Sequence, residues 1–224
     1  MLKKKVKTSL SIIAIIIITS IITSTAKQLP LAGKLITIDP GNVGRDPGTY
    51  YKGILEKDIN LQISLALEEE LLEKGATVYL IRRSDIDLSS IYDPKKKRGD
   101  LYRRLLMIKK NQSDMYLSIH INWYQNTYYK GAEVLYNQIN SQNKKLATAI
   151  MQEFKSNLNS KRQIHTTDLY MYKNTTILGV LIECGYLSNA SERNLLTTDE
   201  YQKKLAKSIT SGIINYFEDE YHNT

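Results

Sequence analysis

LITIDPGNVGRDPG, spanning Leu35–Gly48, reads as a buried strand cut short by a loop. Leu35–Ile38 is apolar and β-branched, and Asp39-Pro40-Gly41 breaks the ladder and turns the chain. The loop therefore leaves a strand at its C-terminal end. In an open α/β sheet that edge is where ligands bind, which gives Asn42 a place from which to enter a site. An asparagine in a glycine-rich turn also has a plainer use, because it accepts left-handed backbone, and the loop by itself favours that role.

The chain on either side alternates strands with helices. Ile59–Lys74 carries Ile59, Ile63, Ala66, Leu67 and Leu71 at helical spacing, with Glu68, Glu69, Glu70 and Glu73 off that face and Gly75 as the stop. Thr77–Ile81 reads as a strand, Arg82–Asp100 as a long charged connection, and Leu101–Lys110 as a helix. Met115–Ile119 alternates as a strand that delivers His120 at its end. Gly131–Tyr136 and Leu169–Tyr172 read as strands, Asn143–Leu158 as a helix, and Val180–Ile182 as an apolar run that carries Glu183 into Cys184-Gly185. Tyr201–Phe217 closes the chain as an amphipathic helix, with Leu205, Ile209, Ile213 and Ile214 on one face. The alternation predicts one α/β domain over residues 35–220, a mostly parallel or mixed twisted sheet flanked by helices.

Met1–Ala26 places Lys3, Lys4, Lys5 and Lys7 ahead of an uncharged run through Ile12–Ile18 and ends in Ser24-Thr25-Ala26. That pattern describes an export signal, or a membrane anchor if it stays uncleaved, and residues 27–34 read as a linker. Either way the domain is expected to work outside the cytoplasmic membrane. The formal charge of +8 falls to +4 without Met1–Ala26, which holds four lysines and no acid. A modest positive excess suits a polyanionic wall as well as a plain soluble surface. Lys95-Lys96-Lys97-Arg98 reads as a solvated loop that an anionic substrate or partner could use. No nucleic-acid-binding module is present. Cys184 is the single cysteine, so an intrachain disulfide and a cysteine zinc cluster are both excluded.

Three residues that can carry chemistry fall at comparable places: Glu56 beside a helix start, and His120 and Glu183 at strand ends. A carboxylate and an imidazole are natural zinc ligands, and a further carboxylate can act as general base. Each also has a structural use. Glu56 suits a helix N-terminus, and His120 suits a hydrogen-bonded core position. Glu183 is the hardest to place as structure, because a carboxylate following Val180-Leu181-Ile182 is expected to be half buried at substantial desolvation cost. Strand alternation turns Cys184 away from Glu183, so it reads as a packed small residue. His165 falls in a polar surface segment and His222 in the tail.

Several segments resemble the zinc-dependent N-acetylmuramoyl-L-alanine amidases, of the amidase 3 type. They are Ile38-Asp39-Pro40-Gly41, Asp46-Pro47-Gly48, Glu56-Lys57-Asp58, Ser118-Ile119-His120-Ile121-Asn122 and Leu181–Asn189, in the family's order. The basic insertion before Asp100-Leu101, with Arg104 and Asp114, is similar to the germination-specific spore cortex amidases within that family. The resemblance implies a phosphorylase/hydrolase-like fold and a zinc ion held by Glu56 and His120, with Glu183 as the catalytic residue. It implies substrate contacts at Asn122 and Arg104, peptidoglycan as substrate and a role in cortex maturation toward muramic lactam.

Asn42 stands where the family's first histidine ligand belongs. A neutral amide oxygen on a short side chain is a weaker zinc ligand than imidazole nitrogen. The sequence leaves three explanations open: weak zinc binding with retained activity, completed or ordered by an accessory protein or substrate; a metal-free pseudo-amidase that binds wall polymer or a partner; or a deliberate substitution. A zinc carboxypeptidase or deacetylase is disfavoured because Glu56-Lys57-Asp58 and Glu183–Asn189 match the amidases.

Overall fold

The computed structural model describes residues 29–222. The sheet is built from β4 (Thr77–Leu80), β1 (Leu35–Pro40), β5 (Met115–Asn122), β8 (Gly179–Tyr186), β6 (Glu133–Tyr136) and β7 (His165–Thr166), in that order across the sheet. The first four run parallel; β6 is antiparallel to β8, and β7 parallel to β6. The sheet is therefore mixed, one of the two arrangements that the strand–helix alternation left open. A separate two-residue hairpin, β2 (Tyr50–Tyr51) and β3 (Ile54–Leu55), turns through Lys52 and Gly53, both at positive φ.

Period-two alternation decides which face each strand residue serves. Ile36 and Ile38, Leu117 and Ile119, Val180, Ile182 and Cys184 all join the main core. On that side α1 (Glu56–Glu73), α3 (Gln142–Leu158) and α5 (Asp199–His222) bury Ile63, Leu67, Ile150, Phe154, Ile209 and Ile213. The alternate residues form the opposite face. There Tyr116 and Leu181 pack with Ile108 of α2 (Lys96–Asn111), while Thr37, Asp39, Ser118, His120, Glu183 and Glu133 share their parity. One face is thus wholly apolar, and the chemistry is gathered on the other. Cys184 lies fully buried in the apolar layer, away from Glu183.

Several boundaries differ from the sequence reading. Leu169–Tyr172 is not a strand; β7 precedes it, and Tyr172–Asn174 forms a 3-10 turn. Tyr172 is apolar enough to be buried, but its layer is the small second core rather than the sheet. The basic run does not stay in a loop either, because α2 begins at Lys96 with no acid in its first turn. Cations disfavour a helix N-terminus. Here the Lys96 ammonium is held by the carbonyls of Ser90 and Ile91, and Lys97 by Asp46. A short helix, α4 (Ala190–Leu196), was not foreseen; Asn189 caps it by accepting from the Ser191 and Glu192 amides. Leu31 corrects the linker expectation, since it is fully buried in the core and donates to the Lys74 carbonyl. The signal or anchor assigned to Met1–Ala26 lies outside the described residues; among those described, no helix is long and apolar enough to cross a membrane.

Candidate active site

The loop after β1 is clamped before it reaches the site. The buried Arg82 guanidinium donates to the carbonyls of Pro40, Gly41 and Lys57 at 2.9, 3.0 and 2.7 Å. Gly41 passes so close to His120 that a Cβ there would lie 2.3 Å from the imidazole Cε1. Asn42 follows with φ 58°, the left-handed conformation expected of a turn asparagine. It also enters the site: its amide donates to Asp46, and its oxygen meets the Asn60 amide at 3.5 Å. The two uses set out for Asn42 therefore coexist.

Glu56 opens α1, where an acid suits the helix dipole. Its position is fixed by reciprocal bonds with Thr49, the Glu56 amide donating to the Thr49 carbonyl at 2.9 Å and the Thr49 amide donating to the Glu56 carboxylate at 2.8 Å. Its other oxygen meets His120 Nδ1 at 3.0 Å, the Ile121 amide at 3.3 Å and Asn60 Nδ2 at 3.3 Å. Asn60 sits one turn along the same helix and so braces both Glu56 and Asn42. Gly48, at φ +66°, leaves the space between them, since a Cβ there would lie 2.5 Å from Glu56 Oε2 and 2.8 Å from Asn42 Oδ1. Burial pushes the Glu56 carboxyl upward, but the bond and charge of His120 more than offset it and hold the group below its ordinary range. Burial likewise favours neutral His120, yet Glu56, with Glu183 and Asp39 behind it, raises the imidazole above its ordinary value.

Glu183 lies directly across the parallel β5–β8 ladder from His120. Its Oε2 is buried without a hydrogen-bond partner, which is costly for a carboxylate. Burial raises its pKa; His120 pulls it down while Glu56 and Glu133 push it up, leaving it at about 7. A carboxyl group poised there can take and return a proton.

Glu133 was not foreseen. It faces Glu183 across the antiparallel β6–β8 ladder, is nearly inaccessible, and accepts from Asn122 Nδ2 at 3.0 Å, Arg162 Nε at 3.0 Å and the Tyr186 hydroxyl at 2.5 Å. His165 reaches its far oxygen at 3.5 Å from an exposed position. The signal available in the sequence was an acid opening the apolar Glu133–Tyr136 strand, the same pattern that singled out Glu183. Asn122 has both polar groups engaged, since its oxygen accepts from the Trp123 amide as well. It braces Glu133. Arg104 is 1 % exposed and tied to Asp39, Asp100 and the Pro40 carbonyl, with Nη2 alone left unbonded.

Glu56, His120 and Asn42 thus converge as one carboxylate, one imidazole and one amide oxygen. Among the described residues no group of three His, Cys, Asp or Glu side chains comes together in a way that could hold a metal. Of the three converging residues, Glu56 and His120 carry ordinary zinc donors and Asn42 a weaker one.

A mixed α/β sheet carrying an acid–imidazole pair and a raised carboxyl at its strand ends defines a hydrolase-type site. Residues 36–215 match the family model for N-acetylmuramoyl-L-alanine amidase, and the chain belongs to that family. It is 37% identical over 200 residues to the germination-specific N-acetylmuramoyl-L-alanine amidase of Bacillus subtilis, covering 86% of this chain and 84% of that protein. It is 29% identical over 199 residues to the probable cell wall amidase LytH of Staphylococcus aureus, covering 87% and 62% respectively. The solved CwlD amidase of Clostridioides difficile, in complex with the GerS lipoprotein, superposes with a TM-score of 0.79 at 36% identity, over 83% of this chain and 99% of that one.

Proposed function

We propose that the protein hydrolyses the amide between the lactyl group of N-acetylmuramic acid and L-alanine in peptidoglycan, outside the cytoplasmic membrane, in the maturation of spore cortex toward muramic lactam. Family membership supports the reaction, and the likeness to a germination-specific amidase supports the setting. The observation that carries the mechanism is Glu183, whose unpartnered oxygen stands beside His120 with a pKa near 7.

Glu183 takes a proton from the attacking water and returns it to the leaving nitrogen, so that the carbonyl gains hydroxyl as the carbon–nitrogen bond breaks. Glu56, His120 and Asn42 would hold zinc, which when bound supplies polarisation of the scissile carbonyl and acidification of water. Asn60 and the Thr49 amide hold Glu56 in place. Glu133, compensated by Arg162, Tyr186 and Asn122, keeps the wall beside Glu183 negative. Replacing Glu183 by Gln is expected to abolish release of stem peptides from muropeptides while leaving zinc content unchanged; equal turnover by both proteins removes Glu183 from the mechanism.

An accessory protein fits this reading, because the related CwlD amidase was solved with GerS and the amide at position 42 leaves the zinc set short of one strong donor. Anchoring through residues 8–26 would keep the domain at the membrane surface. The second reading, a metal-free pseudo-amidase that binds wall polymer, rests on Asn42 alone. It requires that peptidoglycan bind without any release of peptide in the presence of zinc.

A further inference from the structure

The chain leaving β4 stays beside β1, with the Ile81 amide donating to the Ile38 carbonyl at 3.0 Å, and this brings Arg82 against the loop that carries Asn42. Arg82 is 5 % exposed, and each of its four hydrogen bonds ends on a backbone carbonyl. Its Nη2 donates to the Gly41 carbonyl at 3.0 Å and to the Lys57 carbonyl at 2.7 Å. A single nitrogen therefore bridges the residue before Asn42 and the residue after Glu56. Nε holds the Pro40 carbonyl one step further back, at 2.9 Å.

Lys57 closes the other side of the same loop. Its ammonium donates to the Gly44 carbonyl at 3.1 Å and pairs with Asp85, whose second oxygen accepts from the Gly44 amide. Asn42 thus lies between two glycines whose carbonyls are both tied to the first turn of α1, Gly41 through Arg82 and Gly44 through Lys57. The arrangement is costly to bury. Desolvation and the neighbouring Arg104 bring the Arg82 pKa down to about 10, so the group stays cationic at neutral pH while it bonds to neutral carbonyls. A buried guanidinium ordinarily takes a carboxylate partner, and stability alone gains little from one that does not. What a guanidinium does supply is a planar fork of fixed geometry, which suits holding two segments at a set distance.

We propose that Arg82, together with Lys57, is a positioning residue that sets the separation of Asn42 from Glu56 ahead of metal binding. The proposal rests on the reading in which Asn42, Glu56 and His120 would hold zinc. Glu56 and His120 are joined directly by a 3.0 Å bond, whereas Asn42 is linked to Glu56 by way of Asn60. A weak amide donor contributes little energy with which to draw its own loop into place, so its share in binding depends on a loop that is already held. Arg82 and Lys57 supply that hold through backbone groups, which leaves the side chains of Asn42 and Glu56 free to face the site.

The test measures zinc affinity by competition titration in Arg82→Lys and Lys57→Met, beside the wild type and Ile213→Val, a trim in the main core on α5. Arg82→Lys keeps the charge and loses the fork, and Lys57→Met keeps an unbranched stem and loses a cation. Charge alone therefore predicts unchanged binding in the first and tighter binding in the second. Positioning predicts weaker binding in both, by roughly tenfold for Arg82→Lys, the size of loss found when groups that orient metal ligands are removed. Ile213→Val lowers stability by leaving a small void and is expected to bind zinc as the wild type does. Unchanged affinity in Arg82→Lys, unchanged or tighter binding in Lys57→Met, or an equal loss in Ile213→Val overturns the proposal; Lys57→Met decides alone if Arg82→Lys does not fold. Should the wild type bind no zinc, the same variants are read in the Asn42→His background, and no binding there overturns the proposal together with the zinc reading. Weaker binding in both variants with no release of peptide from peptidoglycan by the wild type upholds the positioning role and overturns the amidase reading. Unchanged binding in a working amidase does the reverse.

Discussion

Replacing Glu183 by Gln tests the site without any substrate. Free glutamate titrates near 4.5, whereas burial and the charges of Glu56 and Glu133 hold Glu183 at about 7. Between those values the folded protein binds a proton that the unfolded chain has released, so the stability that Glu183 contributes falls as pH rises through this window. The difference of roughly 2.5 units corresponds to at most about 3 kcal/mol. Glutamine keeps the shape and cannot ionise. Urea unfolding of chelator-treated wild type and Glu183→Gln, repeated from pH 4.5 to pH 8, should therefore give curves that diverge, with the variant relatively more stable at the alkaline end. His120 adds a slope of the same sign, since its raised pKa favours the protonated fold at lower pH; Glu183 contributes to that raise, so the slope is smaller in the variant and adds to the divergence in the same direction. Parallel curves would show that Glu183 is solvated and ionised in the fold, and the proton-transfer role argued from its burial would fall with them.

Three further outcomes are expected. Asn42→His restores an imidazole at a left-handed position that histidine tolerates better than most residues, so zinc affinity should rise at least about tenfold by competition titration; unchanged affinity would place residue 42 outside the ligand set. Gly48→Ala puts a methyl into Glu56 and Asn42 at a backbone φ of +66° and should lower zinc affinity sharply while the far-UV spectrum stays native; normal affinity would mean that the space is not a metal site. Glu133→Gln leaves the Arg162 charge without its carboxylate and should cost on the order of 2 kcal/mol in chemical denaturation, together with a loss of activity; a neutral effect on both would make the network incidental.

Much of this arrangement was legible because the sheet face is set by alternation. Asp39, His120 and Glu183 each follow an apolar run, so their parity and strand-end position could be read directly. Glu133 escaped notice because its strand is short and antiparallel, and its neighbour across the ladder is 50 residues away in the chain. Nothing local in the sequence marks Asn60 as a side chain that reaches back one turn to Glu56. The basic run reads as a solvated loop because a cluster of like charges ordinarily faces water; the Asp46 and carbonyl contacts that hold Lys97 and Lys96 within a helix start come from segments far away or irregular. The Arg104–Asp39 pair joins α2 to β1 across 65 residues of chain, so only the fold reveals it.

The central claim is that Glu56, His120 and Asn42 still serve an amidase. Its most direct test is the appearance of new L-alanine amino termini when the zinc-supplemented protein acts on purified cortex peptidoglycan, read by amine labelling and mass spectrometry of the released peptides. The account predicts L-alanine amines that appear with zinc, vanish with chelator and are absent with Glu183→Gln. Tight binding to the polymer with zinc bound and no new L-alanine amine would contradict it.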